Sequence, residues 1–342
     1  MKVLITDNSK KSKVIFHKND RKILGLLCHN IRLPVSKIAK LLSMSRQSVE
    51  YRINVMKKEN LITGSRALIN VRQLGYQPYH YFVNIPQESE SQFVQRCNAS
   101  DYVNALISYS GKWNYELSIN SKSPGEANRE FFLLTKDTKM VDYFPCILLE
   151  TLRSEVLPKD IPEKIPLIKN IKNDPSFSKY FNTETKKYIP DKKDLEILYI
   201  LSQDANASLT AMGRKVHLTK DGVSYRIKKL IQAKYILEFR PVINFDTLNF
   251  SVQALLVRAS GRSKEEDKKF KDYIKNDPSI LWATELFGSW DYLVYVLTES
   301  QEEIHTFISE ARKKFQHYIQ SYEILYAYQE HKYSFMTESM KE

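Results

Sequence analysis

The chain has 342 residues, 42% of them apolar, which is enough for two to four domains with sizeable cores. Fifty-two Lys and Arg against forty Asp and Glu give a formal charge of +12, which favours polyanionic partners, nucleic acid ahead of an anionic membrane. No run approaches the ~18 apolar residues of a membrane span. Cys28, Cys97 and Cys146 form neither a disulfide framework nor a C-x-x-C site, which suits the reducing cytoplasm.

Residues 1–18 are polar and lysine-rich, and their apolar patch at 3–5 is too short for a signal-peptide core. A cytoplasmic location is expected. Residues 19–76 carry the periodicity of three short helices. The first buries Ile23, Leu24 and Leu27, and the second, over 35–42, aligns Val35, Ile38, Ala39 and Leu42 on one face. A turn at 43–45 leads to a third helix with the stripe Val49, Ile53, Met56, and Ser45 stands where an N-cap should be. This is the pattern of a helix-turn-helix, with helix three presented to the major groove.

Residues 77–157 read as a strand at 79–85, a helix at 90–97, a strand at 103–109, a hairpin turn at Gly111-Lys-Trp-Asn and a strand at 115–120. A helix at 126–135 and a strand at 146–153 complete βαββαβ, the ferredoxin-like order, with two helices covering one sheet face. The stretch 158–190 holds five of the twelve prolines, three of them every fourth residue, and so cannot be a continuous helix. It is read as a Pro/Lys-rich linker that would span roughly 30 Å as a flexible coil.

Everything then recurs. Residues 194–250 align with 20–76 without a gap at an offset of 174, and Ile23/Ile197, Leu27/Leu201, Val49/Val223 and Ile53/Ile227 are identical. The second head is therefore 191–250 and the second ferredoxin-like domain 251–335, with strands at 253–259, 281–287, 292–298 and 322–328 and helices at 264–275 and 302–315. Its hairpin turn, Gly288-Ser-Trp-Asp, matches the first at an offset of 177. The fold class is α+β, a tandem repeat of a (winged) helix-turn-helix head and a ferredoxin-like domain. The two units are expected to pair within one chain as a pseudo-dimer, and larger homo-oligomers can be built from it.

The residues expected to meet DNA lie at the start and on the outer face of each third helix: Ser45, Arg46, Gln47, Ser48 and Glu50 in the first copy, Thr219, Lys220, Asp221 and Ser224 in the second. An ordinary solvated helix face would look similar. Tyr51, Arg52, Tyr225 and Arg226 are retained in both copies, either as a phosphate clamp or as an intra-domain salt bridge beside a packed ring. Gly222 weakens the second reading helix by about 1 kcal/mol relative to alanine. That helix nevertheless stays basic, so both heads are expected to touch DNA.

The run from Asp20 through Ile23-Leu24, Ile38-Ala39, Ser45, Val49, Arg52-Ile53 and Leu61-Ile62 to Asn70 and Leu74-Gly75 resembles the leucine-responsive/asparagine-regulatory (Lrp/AsnC) family of transcriptional regulators. The resemblance covers all but the first ~18 residues and the linker. It implies sequence-specific regulation of transcription, double-stranded DNA as partner, and an amino-acid-type effector at the Gly-x-[Tyr/Trp]-Asp turns. Carried onto this chain, the effector residues are Gly111, Trp113, Asn114, Gly288, Trp290 and Asp291. Two departures stand out: the unit is doubled, and Asn114 replaces the acid, so Trp113 is read as packing on its own sheet.

No G-x-G pairing, P-loop or G-x-S-x-G elbow occurs, and the seven histidines lack metal-ligand spacing. Neither a cofactor, a metal nor an enzymatic activity is expected. The competing class is an enzyme like the siroheme decarboxylases, which share this architecture. In that family an Arg-Arg pair follows the head and holds tetrapyrrole carboxylates. Here Arg66 and Arg240 stand singly in the corresponding stretches. A scaffold that senses a metabolite without binding DNA is a third class.

Overall fold

The computed structural model describes residues 17–157, 188–260 and 263–341, so residues 1–16 of the basic N-terminal stretch and residues 158–187 of the linker lie outside it. The first head consists of α1 (Lys18–His29), α2 (Val35–Leu42) and α3 (Arg46–Lys58), and the second of α6 (Lys192–Gln203), α7 (Leu209–Val216) and α8 (Lys220–Gln232). Ile23, Leu24, Ile38 and Val49 are fully buried, as are Ile197, Leu198 and Val223. Helices α2 and α7 end on Ser43 and His217 in the left-handed conformation (φ 51 and 53), which turns the chain sharply into the next helix. At Gly213 a Cβ would lie 2.5 Å from the Leu218 carbonyl oxygen, so the second turn requires glycine there.

Each head continues into a wing strand, β1 (Ile62–Ile69) and β6 (Ile236–Ile243). The two wings pair antiparallel with each other and with no other strand among the described residues. They also cross: β1 packs on α6 of the second head and β6 on α1 of the first. Ser65 Oγ donates to Asp204 Oδ1 at 2.7 Å, Arg32 Nη1 to the Ala205 carbonyl at 2.8 Å, and the Asn70 and Asn244 amides to the Tyr235 and Leu61 carbonyls at 2.9 Å. The heads therefore share one core rather than hanging on separate stalks.

The two ferredoxin-like units follow the expected element order, with β2 (Gln77–Asn84), α4 (Gln87–Ala99), β3 (Val103–Ser110), β4 (Tyr115–Ser121), α5 (Pro124–Thr135) and β5 (Asp142–Ser154) in the first. The second has β7 (Ser251–Ala259), α9 (Lys264–Asn276), β8 (Ile280–Gly288), β9 (Tyr292–Thr298), α10 (Gln301–Lys314) and β10 (Ile319–Tyr333). Serines 123, 263 and 300 cap α5, α9 and α10 by accepting the amide three residues on. Phe93, Phe131 and Leu117 fill the helix–sheet layer of the first unit, and Phe270, Ile304 and Val294 that of the second.

The two four-stranded sheets do not stand apart but join edge to edge. β5 pairs with β8 and β10 with β3, which closes an eight-stranded barrel in the order β10-β3-β4-β2-β5-β8-β9-β7. The last strand of each unit is accordingly longer than expected, because its far part belongs to the sister sheet. Residues 319–326 of β10 pair with β7, and residues 326–333 with β3. Among the described residues no helix is long and apolar enough to cross a membrane.

Candidate nucleic-acid interface

Ser45 Oγ accepts from the Ser48 amide at 3.1 Å, and Thr219 Oγ1 from the Gly222 amide at 3.1 Å, so both residues start their third helices as N-caps. From there Arg46, Gln47, Glu50 and Tyr51 project into solvent on α3, as do Lys220, Asp221 and Tyr225 on α8. Ser48 and Ser224 are half-buried. Arg46 and Glu50 lie 4.0 Å apart, a loose exposed pair that fixes neither side chain. Lys229 Nζ sits 4.6 Å above the Tyr225 ring.

Arg52 and Arg226 do not share that surface. Arg52 Nη1 lies 2.8 Å from Asp20 Oδ1, and Arg226 Nη1 2.8 Å from Asp191 Oδ2 and 2.9 Å from Asp194 Oδ1. Of the two alternatives for these arginines the structure shows the intra-domain salt bridge, while the Tyr51 and Tyr225 rings beside them stay exposed rather than packed. Asp194 is fully buried, so withdrawing Arg226 to reach a phosphate would strand a carboxylate inside the head. Hydrogen bonds to Asp194, and then to Asp191, push the Arg226 guanidinium above its ordinary value despite burial.

The hairpin turns are built into the junctions between the units. A Cβ on Gly111 (φ 152) would lie 2.9 Å from Leu325 Cδ2 in β10, and one on Gly288 (φ 156) 2.9 Å from the Pro145 carbonyl in β5. Trp113 is buried edge-on against Phe144, and Trp290 is half-buried. Asn114 exchanges hydrogen bonds with the main chain of Ile85 (2.6 and 2.9 Å) and reaches Glu90 Oε1 at 3.2 Å. The Asp291 carboxylate accepts the Ala259 amide at 2.7 Å.

A polar cluster that sequence reasoning did not assemble lies inside the barrel. Glu116 receives the Tyr109 and Tyr295 hydroxyls at 2.6 Å each, and its other oxygen lies 2.7 Å from His80 Nδ1. Burial alone would raise the Glu116 carboxyl, but the hydrogen bonds from His80 and the two tyrosines outweigh it and hold it below its ordinary range. Burial and then the neighbouring Glu116 push both tyrosines well above theirs. The available signal was a glutamate in the fully buried strand β4, where the sister unit has Leu293. Arg66 and Arg240, single in the sequence, face each other as register partners across β1 and β6.

A family profile for the AsnC-type helix-turn-helix domain matches residues 191–231, and one for a winged helix-turn-helix DNA-binding domain matches residues 16–63. The chain is 29% identical over 119 residues to transcriptional regulator AzlB of Bacillus subtilis (strain 168), covering 34% of this chain and 76% of that protein. It is 30% identical over 111 residues to a proline dehydrogenase transcriptional activator of Rhodobacter capsulatus, covering 31% of this chain and 72% of the relative. The crystal structure of the siroheme decarboxylase NirDL aligns over 94% of both chains with a TM-score of 0.60. At 12% identity that is a likeness of fold.

Proposed function

Since the chain belongs to the Lrp/AsnC family of DNA-binding transcriptional regulators, we propose that it reads an asymmetric operator through two unlike heads fixed within one polypeptide. The observation that carries this is the cross-packed wing ladder, which ties α3 and α8 to one shared core. A homodimer reads a palindrome because its two reading helices are identical. Here Arg46, Gln47, Ser48 and Glu50 stand opposite Lys220, Asp221, Gly222 and Ser224, with no residue in common. The half-sites should lie about 10 base pairs apart or at a multiple, and should differ in sequence. In-vitro selection should yield such a site, with Arg46→Ala relaxing one half and Lys220→Ala the other. A recovered palindrome whose halves respond alike to both substitutions defeats the proposal.

Small-molecule modulation belongs to the same reading, with Trp290 and Asp291 of the second turn as its residues. An amino-acid ammonium there must compete with the Ala259 amide for Asp291. Calorimetry should show amino-acid binding abolished by Asp291→Ala and retained by Asn114→Ala. Equal losses remove the turn as a sensor.

A second reading, an enzyme of the siroheme-decarboxylase kind, is favoured by one observation. The Arg-Arg pair missing from the sequence is formed in space by Arg66 and Arg240. Addition of siroheme to the purified protein separates the readings: no new Soret absorbance removes the enzyme.

A further inference from the structure

The outward face of α3 carries positions 46, 47, 50, 51 and 54, and α8 repeats them at an offset of 174. Of these five, only position 51 holds the same residue in both copies, Tyr51 and Tyr225. The two tyrosines are 70% and 59% exposed, while the arginine that follows each is turned inward onto an aspartate. A single exposed tyrosine needs no explanation. Two at one position of duplicated helices, on a face where every other residue differs, single out a shared contact.

Helix geometry narrows what that contact can be. A helical Cα–Cβ bond tilts towards the N-terminus, so each tyrosine leans towards the preceding turn, that of Gln47 in α3 and Asp221 in α8. It therefore enters the groove beside the side chains that meet base edges. Most of an exposed tyrosine is ring carbon, and the apolar group that the major groove presents is the thymine 5-methyl. A contact to phosphate through the hydroxyl alone would leave those ring carbons in water. In the second copy the ring is also braced. Lys229, one turn on, holds its Nζ 4.6 Å from the Tyr225 centroid and 5.4 Å from that of Tyr188. Tyr188 is itself fixed, its hydroxyl donating to Asp194 Oδ2 at 2.5 Å and its carbonyl accepting the Tyr235 hydroxyl at 3.0 Å. The first helix has Val55 in place of Lys229.

We propose that Tyr51 and Tyr225 each read a thymine methyl in the major groove, so that two otherwise unlike half-sites share one T·A pair at the equivalent position. This rests on the DNA-binding reading given above and names a feature of the operator which that reading leaves open. Lys229 is a positioning residue: by holding Tyr225 in one orientation it lowers the cost of ordering the ring on binding. Burial of one methyl group changes affinity about fourfold.

The test is deoxyuridine substitution, which removes the 5-methyl of a chosen thymine and keeps its base pair, in the duplex that the full chain recovers by in-vitro selection. One thymine in each half, at equivalent distances from the centre, should lose about fourfold in affinity when replaced. Tyr51→Ala should abolish that loss in the half met by α3 and keep it in the half met by α8, and Tyr225→Ala the reverse. Tyr51→Phe and Tyr225→Phe should behave as the parent, because the ring makes the contact. Lys229→Met should shrink the loss in the α8 half alone. Each ratio compares two duplexes bound by one variant, so a general loss of stability cancels. Halves insensitive to uridine, or losses that persist in both alanine variants, overturn the proposal and leave the DNA reading intact. Phenylalanine variants that respond like the alanine ones overturn the methyl contact. An undiminished loss in Lys229→Met overturns the bracing role. Failure to bind any duplex at low salt overturns the DNA reading itself, and this proposal with it.

Discussion

Arg66 and Arg240 stand directly opposite each other in the wing ladder, and each occupies the same position of its own unit. Their neighbours confirm the symmetry: Ser65 pairs with Pro241 and Ala67 with Phe239, so exchanging the two units maps one pair onto the other. A local two-fold axis therefore passes between the two arginines. It is broken at once by their partners, since Arg240 takes Glu238 and Ser154 whereas Arg66 lies over the Tyr333 ring and donates to the Tyr333 carbonyl.

DNA binding should be strongly electrostatic. With six or more phosphates neutralised by the two heads, affinity should fall roughly a thousand-fold or more between about 50 and 200 mM salt. Fluorescence anisotropy across a salt series gives the slope, and a flat one would falsify DNA as the partner.

Arg226→Met should act on folding and Arg46→Ala on recognition. Losing Arg226 leaves the fully buried Asp194 without its ion pair, at a cost of about 2–3 kcal/mol. Arg46 is exposed with one loose partner, so its loss should change stability by less than about 0.5 kcal/mol while weakening DNA binding. Thermal melts run beside binding titrations distinguish the two; equal melting temperatures for both variants would refute the assignment.

The two turn glycines should differ in tolerance. A methyl on Gly111 meets the end of the Leu325 side chain, which can swing away, whereas on Gly288 it meets the fixed Pro145 carbonyl and Cys146. Gly111→Ala should cost about 1 kcal/mol and Gly288→Ala about 3 kcal/mol. Denaturant unfolding of the two variants checks the order.

Acid should expose Asp267. Burial pushes its carboxyl up, but hydrogen bonds from Tyr292, Tyr318 and Lys271 outweigh this and hold it down to about 2, against an ordinary 3.8. A depressed carboxyl contributes stability above its unfolded value and loses it as pH falls through the folded one. The contribution, about 2 kcal/mol, should be present at neutral pH and vanish between about pH 4 and 2. Asp267→Asn should remove it, so unfolding curves of variant and parent should converge over that window.

The repeat, the caps and the element order were legible because each rests on local periodicity: Val49 and Val223 recur at the same helical position, and Ser45 and Thr219 precede their helices. What lay between the units was not. The far part of β10 reads Gln329, Glu330, His331, Lys332, a polar run with no strand alternation, because it pairs with β3 of the other unit and its partners are some 220 residues away. His80 looked like one scattered histidine for the same reason. Its meaning depends on Glu116 and on Tyr295, which arrives from the sister unit. Register across a long sequence separation, as in Arg66 against Arg240, has no local signature.

The crossed wings bear on how the molecule is made. On the ribosome, β1 emerges long before β6, its only ladder partner among the described residues, and before α6, the helix it packs on. At ~5–20 residues per second, synthesis leaves that nascent strand edge unpaired for on the order of ten to thirty seconds. An open edge is a template for pairing with the wrong chain. Truncation after the first unit would make that interval permanent, so the amino-terminal half should misassemble when made alone even though it holds a complete head and a complete βαββαβ order.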